Sequence, residues 1–519
     1  MKNWKRLFVL VLSLLLVFGL VACSKSENVD KGKDKGTQKE NSSNPTKEEK
    51  KEYDKVVYAY ATFNNIPGTD VLETVAEEIN KITREKINVE VELLPIAIFD
   101  YSSSVSLTLQ GGGQIDIFES LGDFNNSVSS DMAYDLTDII DLYAAETKEL
   151  LGEDILKSTI KDGRLYGIPT YKPYALTPMV IYKQEIADEL GIDMSQVKTI
   201  FDLTDVLRKV KEAYPDMTPL VPVQTGTSGV NMTIPEVDFL TDDYFSPKGV
   251  LMGGNMTVVD YYSTDEFAEI AKLARTWYNE GLILQDAATT TSTSTELMSA
   301  DNSFCYVASY SYPPEDTAAS ISAQVGGIPL GAVQIGEAYL DTTSINALSW
   351  MVSSTSKVPE AALKFLNLTF TDPDVINLLI YGIKDRDYVL DAEGFMSYPE
   401  GQDASSVPYT AQLSCGTLGN FFLMHPMAGT SKESLIWEEE QNQLAKKSPA
   451  MGFTFDSSQV KTEYTAVINV INQYLPGLLC GSVDPEVIIP EFTSKLKEAG
   501  LDTIIAAKQS QLDEWLKNK

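Results

Sequence analysis

Between Val56 and Phe118 the spacing of apolar positions switches repeatedly between two periods. Val56 to Phe63 is a nearly continuous apolar run, the pattern of a strand buried on both faces. It ends in the polar turn Asn64-Asn65-Ile66-Pro67-Gly68-Thr69. Val71, Leu72, Val75, Ile79 and Ile82 then recur at three- and four-residue intervals and predict a helix. Ile87 to Leu93 alternates as a strand, a Ser-rich helix runs to Gln110, Gly111 to Gly113 end it, and Ile115 to Phe118 form the next strand. Strand, helix, strand, helix, strand implies an α/β fold with a mostly parallel sheet and right-handed crossovers. Ligands of such sheets sit beyond the carboxyl ends of the strands. That geometry puts Asn64, Asn65, Glu119 and Ser120 on one rim.

The first residues obey a different logic. Lys2, Lys5 and Arg6 precede an apolar segment, Leu7 to Leu20, that is short for a bilayer span but suited to a signal peptide. Leu20-Val21-Ala22-Cys23 resembles a bacterial lipobox, which predicts cleavage of residues 1–22 and acylation of Cys23. Two or more acyl chains hold a protein on a membrane, at about 0.8 kcal/mol per buried CH₂. Residues 23–55 are mostly Lys, Glu, Ser, Asn and Asp, too polar to form a core, and read as a disordered tether. A flexible chain of that length reaches roughly 30 Å.

The rest of the chain, past Lys55, is long enough for two lobes with insertions. The formal net charge is −33, which becomes −36 once Lys2, Lys5 and Arg6 are removed with the signal. Such acidity argues against nucleic acid and anionic lipid headgroups as partners. Cys305, Cys415 and Cys480 are widely spaced among apolar neighbours, so they offer no metal-binding pair and at most one disulfide.

Catalytic motifs find little support. The one histidine, His425, would have to serve any Ser-His-Asp or Cys-His site, and no G-x-S-x-G elbow accompanies it. Ser354 to Lys357 and Ser494 to Lys497 match S-x-x-K without its supporting elements. Gly111 to Gly113 lacks the Lys and Ser/Thr of a phosphate loop. Asp385, Asp387, Asp391 and Glu393 miss the calcium-loop spacing, and Asp391 to Gly394 reads as a hairpin turn. Neither an enzyme nor a bound metal or other cofactor is expected.

Past Gly122 the order of segments becomes specific. Lys161 to Tyr171 contains Gly163-Arg164-Leu165-Tyr166-Gly167-Ile168-Pro169, and Met179 to Lys183 supplies the strand MVIYK. Asn346 to Val375 gives a strand ending at Val352, a Ser/Thr loop, and a helix starting near Pro359. Together these resemble the extracellular solute-binding lipoproteins of ABC importers, the sugar-binding branch in particular. Tyr381 to Gly401 and Lys495 to Trp515 resemble a subgroup of roughly 500-residue members with an added C-terminal region.

The resemblance implies a two-lobed, periplasmic-binding-protein-like clam-shell, each lobe a mostly parallel sheet flanked by helices. Lobe one would comprise residues 56–170 plus 346–400, lobe two residues 171–345, and residues 401–519 would pack on the lobes. It further implies a monomer on the extracellular face of the bacterial cell membrane, touching that membrane only through its lipid. Its partners would be an oligosaccharide ligand and a membrane permease driven by an ATPase. Aromatic faces for sugar rings and polar groups for hydroxyls are then expected at strand ends and crossings. Besides the four rim residues, the candidates are Tyr171, Tyr174, Tyr310, Tyr312, Trp350 and Tyr381. The residues leave open a peptide ligand, a surface sensor with the same clam-shell, and a secreted glycoside hydrolase.

Overall fold

The computed structural model describes residues 52–517 except 64, 243 and 412–416. The signal segment, Cys23 and nearly all of the tether, together with Asn64 and Cys415, lie outside the described residues. Tyr53 to Lys519 forms one compact unit.

The chain begins with β1 (Asp54–Thr62), α1 (Thr69–Lys86), β2 (Val89–Ala97), α2 (Tyr101–Gln110) and β3 (Ile117–Glu119), the succession read from the sequence. After several short helices, β4 (Ile168–Pro169) ends the first pass. The chain then builds a second sheet from β5 (Thr177–Lys183), β6 (Thr218–Leu220) and β7 (Ser303–Tyr310). Helix α3 (Pro314–Gln324) and strand β8 (Leu330–Gln334) come next. It returns through β9 (Tyr339–Leu340) to β10 (Ser349–Val352), α4 (Pro359–Thr371) and α5 (Pro373–Tyr381). Helix α6 (Lys432–Leu444) and β11 (Lys446–Lys447) precede three closing helices, α7 (Lys461–Leu479), α8 (Pro485–Glu498) and α9 (Leu501–Lys517).

The first sheet has the order β2-β1-β3-β10-β4 and the second β8-β5-β7-β6. Each is mixed, which corrects the expectation of mostly parallel sheets. β1 pairs in parallel with β2 and β3, but β10 runs antiparallel to β3 and β4. In the second sheet only β7–β6 is parallel. The physical reason for the first reversal is connectivity: β10 comes back from the other lobe rather than through a βαβ crossover.

Two large cores correspond to the two sheets. The first collects Val56, Tyr58, Ile79, Val91, Trp350 and Phe365, and reaches along both crossings to take in Tyr171, Tyr174, Ala338 and Leu340. The second collects Val180, Leu207, Trp277 and Phe304 with Val467, Leu475, Phe492 and Leu512 from the closing helices. The added C-terminal region therefore divides. Tyr409 to Met451 contributes to the first core and Ala450 to Leu512 to the second. A third passage between lobes results, and β11 pairs with β9 there in a short parallel ribbon.

A buried charge cluster locks the last helix to the second lobe. Lys508 donates to Asp242 at 2.7 Å and to the Gly249 carbonyl at 2.8 Å. Tyr464 also donates to Asp242, and the Lys248 ammonium stands 3.8 Å from it. Both Lys508 and Asp242 are fully enclosed, so each charge depends on its partner. Among the described residues Cys305 and Cys480 are buried free thiols, whose pKa values burial raises.

Candidate functional site

The site is built where the end of α5, the segment after Gly419 and α6 come together. Gly419 has a left-handed φ of 55°, and a Cβ there would meet the Thr369 carbonyl at 2.2 Å, so only glycine lets this segment lie so close on α4. Asn420 then caps the turn, accepting from Phe422 N–H at 2.9 Å and donating to the Phe370 carbonyl at 3.1 Å. On α5, Asn377 accepts from His425 N–H at 2.9 Å and donates to the Leu423 carbonyl at 3.0 Å. The Tyr381 hydroxyl donates to the His425 carbonyl at 2.9 Å. These bonds fix an apolar strip, Phe421 to Met427, at the mouth between the lobes.

Tyr312, just past the end of β7, faces this strip, and the two enclose a pocket of about 80 Å³. Its walls are Tyr312, Tyr381, Phe421, Met424 and His425, with Ser434 and Leu435 from α6. No Lys or Arg lines it. Tyr381 and Tyr388 are 5.5 Å apart between ring centres, and Tyr388 and His425 6.0 Å. Burial, helped by nearby Lys384, lowers the His425 pKa, so the imidazole is neutral at pH 7. A more open polar depression adjoins this pocket, sharing Thr430 and Ser431 and continuing past Asp391, Glu393 and Glu433.

Helix α6 spans the hinge. Asn442 accepts from the N–H groups of Tyr174 and Ala175 at 2.7 and 3.0 Å and donates to the Lys172 carbonyl at 2.8 Å. Tyr171 donates to Glu439 at 2.9 Å. At its other end, the N-cap Ser431 donates to Asp316 of α3 at 2.7 Å. The helix is amphipathic in reverse: Ile436 and Leu444 are 59% and 75% exposed, while Ser434 and Glu438 are each 1% exposed. Burial pushes the Glu438 pKa up to about 7, with Asp316 nearby raising it and the Ser311 hydroxyl opposing.

The residues singled out from the sequence have separate fates. Tyr312 and Tyr381 share the pocket. Tyr171 and Tyr174 are buried in the hinge, where the Tyr174 hydroxyl donates to the Thr170 carbonyl. The half-buried Tyr310 shares a 2.6 Å hydrogen bond with the Tyr306 hydroxyl. Asn65 is exposed and in neither pocket. Glu119 and Ser120 help line a second small cavity with Ser102, Asp123 and Asn126, but both are buried. The Ser120 hydroxyl is occupied by Ser349 N–H.

Trp350 is a correction. It is fully buried, stacks on Tyr58 at 4.6 Å and donates to the Thr417 carbonyl, so it serves the first core rather than a ligand. Sequence reasoning missed Phe421, Met424, Ser434 and Glu438. A signal for the last two was available: Ser434, Glu438 and Asn442 recur every four residues in a helix whose opposite side carries Ile436.

With this geometry in hand, comparison with known proteins decides the family. Residues 76–381 match the model of the bacterial extracellular solute-binding proteins. The chain belongs to that family. The family's role is to bind solutes for ABC transporters, not to catalyse. Residues 449–517 match a domain of unknown function, DUF3502. A carbohydrate ABC transporter substrate-binding protein of Streptococcus pneumoniae serotype 4 is 26% identical over the whole of both chains. The crystal structure of the N-glycan transport solute-binding protein NgtS of S. pneumoniae has a TM-score of 0.73 at 23% identity, covering 90% of this chain and 99% of that one. A human-milk-oligosaccharide (HMO)-binding, ABC-transporter-associated protein of Bifidobacterium longum infantis has a TM-score of 0.60 at 17% identity, covering 89% and 99%. These solute-binding neighbours share the two-lobed fold.

Proposed function

We propose that this protein captures an oligosaccharide between its lobes and presents it to the permease of an ABC importer, while held by an acylated Cys23 on the outer face of the cell membrane. The observation that carries the reading is the pairing of Tyr312 from the second lobe with Tyr381 from the first across a pocket without cations. Aromatic faces stack on sugar rings, and neutral polar walls suit hydroxyls better than carboxylates or phosphates. The full-length pneumococcal carbohydrate-transporter relative supports the same cargo class.

The pocket is smaller than the 300–1,000 Å³ typical of small-molecule sites, which fits a cleft that widens as the lobes part. A ligand that touches both lobes shifts the open–closed balance by its preference for the closed form. The test is a thermal-shift screen of the mature protein against oligosaccharides, monosaccharides and short peptides. A ligand at a hundredfold excess over Kd adds about 2.7 kcal/mol of stability. Stabilisation by one saccharide class, with no product released, supports capture; stabilisation by peptides alone sinks the saccharide assignment.

A further inference from the structure

Helix α6 buries polar side chains that the protein leaves short of partners. Ser434, Glu438 and Asn442 stand four residues apart and so form one stripe along the helix. Asn442, at the hinge end, uses its whole amide on the backbone of residues 172–175. The other two do not. The Ser434 hydroxyl and both oxygens of the Glu438 carboxyl are buried with no partner at hydrogen-bond geometry, the Ser311 hydroxyl being the group that comes near Glu438. Three such polar atoms within one helical turn is an expensive arrangement, because each gives up its hydrogen bonds to water without a full replacement. The stripe also runs directly toward the pocket, since Ser434 is one of its walls.

We infer that Ser434 and Glu438 form the polar floor of the Tyr312–Tyr381 pocket, a subsite that reads the hydroxyls of an uncharged sugar ring and rejects acidic sugars. This rests on the proposed capture of an oligosaccharide. The Glu438 carboxyl carries two oxygens that can take adjacent hydroxyls of a pyranose, as acceptors alone when ionised and with one donor when protonated. The serine hydroxyl can both donate and accept. The electrostatics sharpen the choice. Asp316 flanks Glu438, Glu439 is next along the helix, and His425 on the pocket wall is neutral. The one cation of the adjoining depression, Lys432, donates to the Glu393 carbonyl at 2.6 Å and lies over the Phe395 ring. A uronate entering here would meet these acids at the floor, opposed by Lys384 beside His425, whereas a neutral ring would supply the missing donors.

The decisive experiment is calorimetric titration of the mature protein with neutral tetrasaccharides of glucose, mannose and N-acetylglucosamine, each beside a uronate-containing tetrasaccharide of the same length. Wild type, Glu438→Gln and Ser434→Ala are compared, with melting curves to establish that each variant is folded. The expected result is at least tenfold weaker binding of uronates by wild type. Glu438→Gln should weaken neutral-sugar binding about tenfold and narrow that discrimination to a few-fold, while Ser434→Ala should weaken neutral binding and keep the discrimination. A folded Glu438→Gln protein with wild-type affinity and discrimination overturns the subsite alone. Failure of wild type to bind any saccharide overturns the capture reading and the subsite together.

Discussion

The Tyr171 hydroxyl donates to the Glu439 carboxylate at 2.9 Å, joining the first crossing between lobes to a helix 268 residues further along the chain. Burial and that carboxylate together push the phenol pKa up, which keeps it a donor at all physiological pH values. Tyr171→Phe removes one charge-assisted bond at the hinge. The expected loss is about 1–2 kcal/mol in urea unfolding, with the ring's contact to Phe422 kept. An unchanged midpoint would show that α6 is held to the hinge by Asn442 alone.

Trp350 and Tyr312 should separate stability from binding. Trp350→Ala empties a fully buried site beside Tyr58 and should cost about 3–5 kcal/mol. Tyr312→Ala, at a half-buried pocket wall, should leave the melting temperature within a degree or two and reduce saccharide affinity at least tenfold. Titration of both variants with the ligand found by the shift screen checks the contrast. Loss of affinity in a stable Trp350→Phe protein would return that residue to the site.

The pH dependence comes from Glu438. Its pKa near 7 in the folded protein exceeds the ordinary carboxylate value, so the folded state holds a proton that the unfolded state releases. Its contribution is fully present below the unfolded pKa and lost as pH rises toward 7. Glu438→Gln should therefore be less sensitive than wild type between pH 4.5 and 7, by up to about 3 kcal/mol. Parallel denaturation curves at pH 5 and 8 test this. The difference between the two proteins isolates Glu438 from Asp238, another buried acid with a pKa near 7.

Asp242 is the counter-charge that two buried lysines face. Asp242→Ala removes the carboxylate from beside the enclosed Lys508 and Lys248 and should cost about 3–5 kcal/mol. Lys508→Met should cost less, because Lys248 and Tyr464 still face Asp242 and methionine fills the space. Urea titration followed by tryptophan fluorescence, with Trp277 and Trp515 in this lobe, ranks the two. The reverse order would mean that Lys508, not Asp242, organises the cluster.

The opening strand-helix-strand-helix-strand unit was largely legible because its elements carry plain apolar signals, from the continuous run starting at Val56 to the helical spacing of Val75 and Ile79. Strand direction was not legible. The resemblance implies that residues 346–400 return to lobe one, but nothing in Ser349 to Val352 announces that the returning strand runs antiparallel. The aromatic candidates divided for the same reason: Tyr381 and Trp350 both sit in apolar runs, and only the packing puts one on a pocket and the other inside the core. Helix α6 was missed as a site because its buried stripe is polar, the opposite of what hydrophobic periodicity detects.

Residues 449–517 look like a detachable module when read as a separate match, yet their helices close the second core, with Val467, Phe492 and Leu512 fully buried against it. Cutting the chain after β11 would not release a domain; it would strip a wall from a lobe whose strands lie far earlier in the sequence. Such a lobe cannot finish folding until the last helix has been made. Completion of the binding cleft therefore waits on helix α9, the most C-terminal element of the described residues.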